Sequence, residues 1–578
     1  MIYKQGIGAA EGLAIGKAFH YIVEEVEIEK HHVTDSAEEC KRFMEAVEAS
    51  RQEITEIMYQ TETNIGIDEA NIFASHLLIL EDVELIDPIK NLIMEEKVNA
   101  QFAVQTVATS IIIMFNGMDN EYLKERALDI YDVKRRIIAH LNGQPIVDLS
   151  TLVEPIILVA HDLTPSDTAT LNPKYVKAII TEIGGKTSHT AIIAKSLNIP
   201  AIVGLENALH AIPKDLTLIA NGTTGQCIID PTPDILHEHE QLIAIAQQEK
   251  QLELQYLNVP TATKDGYSIE LAANIASPSD AEIAIQNSAE GIGLFRTEFI
   301  YMGHNSLPSE EEQFNHYKKV LQMMGNKPVV VRTFDIGGDK ELPYLKLPSE
   351  QNPFLGYRAI RISLDRPEIF SVQLRALLRA SVYGNLHIMF PMIATLEELQ
   401  EAKRILAEEK KKLLAENIAV ADTIAVGMMI EIPSVAVIAD LLADEVDFFS
   451  IGTNDLIQYT LAADRMNDKV SYLYQPFHPA IIRLIQQVVK TAHEKNIWVG
   501  VCGEMASDPL AAALLVGLGI DELSMSASSI LRIRKLLAQF TKVQLTEMAH
   551  ATLHMKTATE ILDHLAKQLQ HPLIECRK

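Results

Sequence analysis

From Thr261 onward one unit recurs eight times: a short, nearly unbroken apolar run that closes on polar or charged residues, then a stretch with helical spacing. The runs are IELAANI, GIGLFRTEF, VVVRTFDIGG, LHIMFPMIA, VGMMIEIPS, DFFSIGTNDL, WVGVCGEMA and ELSMS. A strand that is apolar at nearly every position has to be covered on both faces, which is the condition of a parallel sheet flanked by helices. Eight such units in about 300 residues fit a closed (β/α)8 barrel of the TIM type. An open doubly wound sheet is the alternative, but it would not need so many strands.

The sequence before the barrel has two further textures. Residues 34–142 carry long apolar patterns of period 3.6, almost free of Pro and of paired Gly, as in EECKRFMEAVEASRQEITEIMYQ; they predict a helical bundle. Residues 1–33 and 143–231 hold short β-branched runs separated by turns (PIILVA, AIITEIG, AIVG, LTLIANGTTGQCIID) and predict one compact α/β domain, with the bundle as an insertion. Residues 232–260 read as a polar connecting helix and hinge, and 261–578 as the barrel. The fold class is multidomain α/β.

Charge narrows the partners. Fifty Lys and Arg against 78 Asp and Glu leave a net charge of -28, which opposes non-specific binding to nucleic acid or to an anionic membrane. The N-terminal segment lacks the apolar core of a signal peptide and no run reaches a membrane span. The four cysteines, Cys40, Cys227, Cys502 and Cys576, contain no C-x-x-C pair, against both a disulfide framework and a structural zinc site. A cytoplasmic protein is expected.

In a barrel the C-terminal strand ends converge on one face, where barrel enzymes keep their chemistry. Here those ends carry Arg296 and Glu298, Arg332 and Asp335, Glu431, Asn454 and Asp455, and Cys502 and Glu504. An Arg beside a carboxylate is, taken singly, more often a plain ion pair; five strands sharing the pattern make that reading much weaker. Arg296, Arg332, Arg465 and Arg358 supply permanently charged planar forks for phosphate and carboxylate oxygens. Glu431 and Asp455 are hard donors suited to Mg²⁺ that completes its shell with substrate oxygens.

A second informative segment is IGGKTSHTAIIAKSLNIPAIVG. Gly184 and Gly185 end a strand and HTAIIAKSL begins a helix, placing His189 at the positive end of a helix dipole. The phosphate-cradling G-x-x-x-x-G-K-[ST] loop fails here because Ile180 stands where Gly is required. A helix-start His making a local hydrogen bond is the bland alternative; a neutral imidazole is also a competent phosphoryl nucleophile.

Three motifs, GGKTSHTAIIAKSLNIPAIVG, GIGLFRTEFIYMG with VVVRTFDIGGDKELPYL, and DFFSIGTNDLIQYTLAADR followed by VGVCGEMA, make the chain resemble enzyme I of the bacterial phosphoenolpyruvate:sugar phosphotransferase system over essentially its full length. The resemblance implies that His189 is phosphorylated and that the Thr168 hydroxyl orients it. It implies phosphoenolpyruvate binding by Arg296, Arg332 and Arg465 with Asn454 beside them, magnesium ligation by Glu431 and Asp455, and protonation of the enolate carbon by Cys502. Residues 34–142 would dock the phosphocarrier HPr through the acidic, apolar stretch from Asp68 to Glu84, and the barrel would form a homodimer. His189 would then serve two placements by swivelling. Lys186 departs from the family's usual Arg in G-G-R-T-S-H, which keeps the charge and loses the fork. A pyruvate-phosphate dikinase or phosphoenolpyruvate synthase shares the histidine domain and the barrel, but would need a nucleotide-binding unit that the bundle does not offer. A non-catalytic phosphoacceptor or scaffold is opposed by the intact Arg296, Arg332, Glu431, Asp455 and Cys502 set.

Overall fold

Strand β4 (Ile156–Ala160), IILVA, is buried at every position, as expected of a strand with helices on both sides. It lies inside an eight-stranded sheet together with β1 (Ile2–Gln5), β2 (Ile7–Ala10), β3 (Leu13–Tyr21), β5 (Val176–Thr181), β6 (Ala201–Val203), β7 (Thr217–Asn221) and β8 (Gln226–Ile229), in the order β1-β8-β7-β3-β4-β5-β6-β2. This computed structural model describes residues 1–569 except 23–27, 65–66, 118–120, 144–148, 150–151, 153, 165–166, 169–170, 186–187, 303–305, 339, 341, 343, 349, 466 and 468. The side chains of 60, 62–64, 67–69, 71–72, 116, 121–125, 189 and 196 also fall outside the description. The chain divides into two compact units, Met1–Glu249 and Lys250–Lys578.

In the first unit β3 and β4 are parallel neighbours, with Tyr21 opposite Ala160, although a helical bundle separates them in sequence. Its helices are α1 (Ser36–Asn64), α2 (Ile67–Ile79), α3 (Val83–Glu96), α4 (Ala100–Asn116) and α5 (Glu121–Asn142). They enclose a core of their own around Phe43, Phe73, Ile89, Val104 and Val133, while the sheet is packed on both faces by two further clusters. The helix His189–Ser196 starts where Ser188 caps it through the Ala191 N–H. The helix Pro233–Leu254 has no buried residue, consistent with its polar sequence.

The second unit is a closed barrel of eight parallel strands: β9 (Glu270–Ile275), β10 (Gly291–Arg296), β11 (Pro328–Arg332), β12 (Asn385–Phe390), β13 (Ala425–Ile430), β14 (Phe448–Ile451), β15 (Trp498–Val501) and β16 (Glu522–Met525), which returns to β9. Its interior is filled by Leu294, Val330, Met389, Met429, Phe448 and Cys502. The outer helices turn one face inward: along Pro479–Glu494 the buried residues are Ile481, Ile482, Ile485, Val488, Val489 and Ala492, the spacing of one apolar stripe. Capping boxes at Ser277, Ser309, Thr395 and Thr541 fix where four of these helices begin by satisfying N–H groups the first turn leaves open. No helix among the described residues is long and apolar enough to cross a membrane.

Candidate active site

The parallel register carries the chemistry to one end of the barrel. Arg296 and Arg332 are the last residues of β10 and β11 and sit opposite one another. Arg332 is buried, with Nη2 2.5 Å from Glu298 Oε1 and 2.9 Å from Asp335 Oδ2. Lys340 Nζ joins the same two carboxylates at 2.6 Å and 3.3 Å. Asp335 Oδ1 accepts from Arg358 Nη2 at 3.0 Å, and that nitrogen lies 3.6 Å from Asp455 Oδ2. Arg358 Nη1 donates to the Tyr459 hydroxyl at 3.2 Å, which in turn donates to Phe354 O at 2.6 Å.

Two backbone features make this loop path possible. Gly337 has φ 106°, and a Cβ there would stand 2.6 Å from Arg358 Cβ, so only glycine lets the segment after β11 turn back under Arg358. Ala359 occupies φ 51°, ψ −124°, a region that costs an L-residue about 1–3 kcal/mol and is held only where its surroundings fix it. Its neighbour Arg358 is buried, 2% exposed.

Glu431 follows β13 directly and is buried; its Oε1 accepts the Met392 N–H. Asp455 stands in the first turn of the helix Thr453–Leu461, and its Oδ1 is buried without a hydrogen-bond partner among the described residues. Gly452 leaves the room Glu431 occupies, since a Cβ there would be 3.1 Å from Glu431 Oε2 and 2.9 Å from Met429 Sδ. An orphaned carboxylate oxygen beside a second buried carboxylate fits a hard divalent cation that takes its remaining ligands from water and substrate. Among the described residues no group of three or more such side chains is assembled, so substrate oxygens would be needed to complete the shell.

The charges shift one another as this packing requires. Burial alone would raise Asp335, yet Arg332, Lys340 and Arg358 hold it well below the carboxylate range; Glu298 is lowered in the same way by Arg332 and Lys340 against its burial. Burial and the facing Asp455 raise Glu431, the behaviour of two acids that would share a cation. Cys502, 3% exposed at the end of β15, is pushed up to about 11, chiefly by burial, so it is a thiol at neutral pH. Burial likewise raises the Tyr459 and Tyr474 hydroxyls to about 12.

The rim is different. Arg296 is half-buried and makes no ion pair among the described residues, and the side chain of the half-buried Arg465 reaches the Tyr474 hydroxyl. Asn454 Oδ1 accepts the Glu504 N–H at 3.0 Å. Beside them a cavity of about 550 Å³ is lined by Phe354, Met392, Gln458 and Tyr459. The face therefore combines two guanidinium groups without a carboxylate partner among the described residues, one of them on the Tyr474 hydroxyl, with two carboxylates disposed for a cation and one protonated thiol.

Residues 250–542 match the family described as "PEP-utilising enzyme, PEP-binding domain", residues 5–126 "PEP-utilising enzyme, N-terminal" and residues 152–225 "PEP-utilising enzyme, mobile domain". The chain is 53% identical over 558 residues to the phosphoenolpyruvate-protein phosphotransferase of Bacillus subtilis, covering 96% of this chain and 98% of that one. It is 53% identical over 562 residues to that of Geobacillus stearothermophilus, 97% of each, and 50% identical over 564 residues to that of Listeria monocytogenes, covering 97% and 98%. The chain belongs to the phosphoenolpyruvate-protein phosphotransferase family.

Of the phosphotransferase residues expected from sequence, Arg296, Arg332, Arg358, Glu431, Asn454, Asp455, Arg465 and Cys502 all lie at the C-terminal face of the barrel. Arg358 differs from Arg296 in facing protein carboxylates, so it braces Asp455. His189 is the first residue of its helix; its side chain, Lys186 and Cys576 lie outside the described residues. Thr168 is buried and its Oγ1 donates to Thr164 O at 3.2 Å. Sequence reasoning did not single out Lys340, Tyr459 or Tyr474. The signal for Lys340 was the G-G-D-K turn itself, where Gly337 N bonds Lys340 O and returns the ammonium to the strand ends.

Proposed function

We propose that the chain transfers the phosphoryl group of phosphoenolpyruvate to its own His189 and from there to the histidine of the phosphocarrier HPr, releasing pyruvate as the first step of sugar uptake by the phosphotransferase system. The observation that carries this reading is the meeting of Arg296, Arg332 and Arg465 with Glu431, Asp455 and Cys502 on one face. Phosphoryl transfer asks for positioning and charge neutralisation more than for covalent help. Arg296, Arg332 and Arg465 would hold the phosphate oxygens, with Asn454 beside them, while Glu298 and Asp335, both also bound by Lys340, keep Arg332 in place. Glu431 and Asp455 would hold Mg²⁺, which when bound neutralises charge on the phosphate and carboxylate oxygens.

The His189 imidazole attacks phosphorus; the N–P bond forms as the bond to the enol oxygen breaks, and that oxygen leaves with the electron pair. The pyruvate enolate takes the Cys502 proton at its methylene carbon, and the thiolate recovers a proton from solvent. Thr168 would orient the imidazole. His189 belongs to the α/β domain of residues 1–33 and 143–231 and the arginines to 261–578, so the imidazole serves two partners in turn by swivelling about 232–260. In the bundle, Leu78 and Val83 are exposed beside Asp82 and Glu84, a surface suited to a basic carrier with an apolar centre. A cytoplasmic homodimer through the barrel completes the reading, on the family resemblance.

Incubation with phosphoenolpyruvate, Mg²⁺ and carrier, without any nucleotide, should release pyruvate in step with carrier phosphorylation. His189→Ala should abolish both while phosphoenolpyruvate binding survives. Pyruvate release at the wild-type rate in that variant would refute the reading.

A further inference from the structure

Within the first unit an arginine of the bundle reaches into the sheet domain. Arg135, on α5, turns its guanidinium onto Asp167: Nη2 donates to Oδ1 at 2.9 Å and Nη1 to Oδ2 at 3.2 Å. Nη2 also donates to the Tyr21 hydroxyl at 2.9 Å, and that hydroxyl donates to Asp167 Oδ1 at 2.5 Å. Tyr21 closes β3, so three segments remote in sequence meet at one carboxylate. Tyr21 and Asp167 are each 4% exposed, and the Arg135 side chain 11%. Burial would raise Asp167, but the Arg135 charge and fork hold it below the carboxylate range, so the pair is ionised.

Asp167 also organises its own loop. Its Oδ2 accepts the Thr164 N–H at 3.0 Å and its N–H reaches Thr164 Oγ1 at 3.3 Å. The next residue, Thr168, gives both its N–H and its hydroxyl to Thr164 O, at 3.0 Å and 3.2 Å. At the other end of the loop Asp162 Oδ1 accepts from Thr190 Oγ1 at 3.4 Å, and Thr190 follows His189 in the first turn of its helix. The described part of 161–168 is thus bonded to the bundle at Asp167 and to the His189 helix at Asp162.

We propose that Arg135 is a positioning residue for phosphoryl transfer: by clamping Asp167 it fixes Thr164 and Thr168, which bond to or beside it, and, through Asp162 and Thr190, the start of the His189 helix. The phosphoacceptor geometry is then set in part by the bundle, and a partner docked on the bundle acts on His189 through this clamp. The inference rests on His189 being the phosphoacceptor. Only a planar fork can engage both carboxylate oxygens and the phenol at once, so lysine is no substitute.

The test uses the full chain and two readouts: the ¹⁵N resonances of the His189 imidazole, which report its tautomer balance, and the steady-state rate of pyruvate release with phosphoenolpyruvate, Mg²⁺ and excess phosphocarrier. Arg135→Met should shift those resonances and lower kcat about tenfold with KM for phosphoenolpyruvate within about twofold, the loss expected when a nucleophile is misaligned and the substrate site is untouched. Arg135→Lys should fail to restore either. Tyr21→Phe, which keeps the ion pair, should move the resonances less and in the same direction. Wild-type resonances and kcat in a folded Arg135→Met protein, or full rescue by Arg135→Lys, would overturn the inference. If Arg135→Met does not fold, unchanged resonances in Tyr21→Phe would overturn it. If the wild-type phosphate maps to a residue other than His189, the functional reading itself fails; if it maps to His189 and the resonances do not move, this inference alone fails.

Discussion

Arg332 Nη2 lies 2.9 Å from Asp335 Oδ2, three residues along from it at the end of β11. The same carboxylate faces Arg358 at 3.0 Å and Lys340 at 3.3 Å, so Asp335 is the anion that lets three cations crowd at the C-terminal face, beside the proposed substrate site. Asp335→Asn keeps the shape and removes the charge. It should destabilise the barrel by about 3 kcal/mol, because a buried cation left uncompensated is costly, and lower kcat/KM about 10²-fold as Arg332 loses its position. The depressed carboxyl stabilises the fold above the usual carboxylate range and loses that contribution progressively as pH falls from that range through its own lower folded value. Urea unfolding should therefore show the variant losing less stability than wild type on acidification. Equal losses would contradict the assignment.

Cys502 is held as a thiol. With its proton retained up to about pH 11, alkylation by iodoacetamide at pH 8 should be about 10² slower than for the same cysteine in the unfolded chain, since the thiolate is the nucleophile. The rate should climb about tenfold per pH unit without levelling near the ordinary thiol value of about 8.5. A plateau there would show that burial does not control this thiol.

At the opposite end of the barrel Glu270 and Glu522 are register partners on β9 and β16, each with a buried Oε1 lacking a hydrogen-bond partner among the described residues. Burial raises Glu270 to about 7, helped by Glu290, and raises Glu522 well above the carboxylate range, helped by Glu270. A carboxyl whose folded value is raised stabilises the fold below its unfolded value of about 4.3, and loses that contribution as pH rises through the folded value. Barrel stability should accordingly fall between about pH 4.3 and pH 7. Glu522→Gln should reduce that slope, gaining melting temperature at pH 8 and little at pH 4. A variant less stable than wild type at pH 8 would refute this.

The barrel and the polar cluster at its C-terminal face are legible in the sequence because both depend on local pattern: continuous apolar runs give buried strands, and residues just after each run fall at the C-terminal end. Lys340 and Tyr459 are not legible in that way. They come from the turn after β11 and from a helix after β14, and only packing brings Lys340 to Glu298 and Tyr459 to Arg358. The Arg135 clamp escapes for the same reason. Helical periodicity puts Arg135 on the polar face of α5, but it cannot say that this face meets Asp167 at the end of another domain's loop.

Gly452 offers a steric test of the proposed cation site. A methyl group there would press on Glu431 Oε2 and Met429 Sδ, so Gly452→Ala should raise the Mg²⁺ concentration for half-maximal activity about tenfold, as expected when one of few carboxylate ligands is displaced. Its melting temperature should stay close to wild type. An unchanged metal requirement would remove Glu431 from the cation site.

The most direct measurement is a phosphate map. The full chain is incubated with labelled phosphoenolpyruvate and Mg²⁺ and the acid-labile, base-stable phosphate is located by peptide mapping. A single phosphohistidine at His189 is predicted, lost in His189→Ala and strongly reduced in Asp455→Asn, because the barrel face and the helix-start imidazole then act as one transfer system. Stoichiometric label on any other residue, or undiminished label in His189→Ala, would contradict that claim.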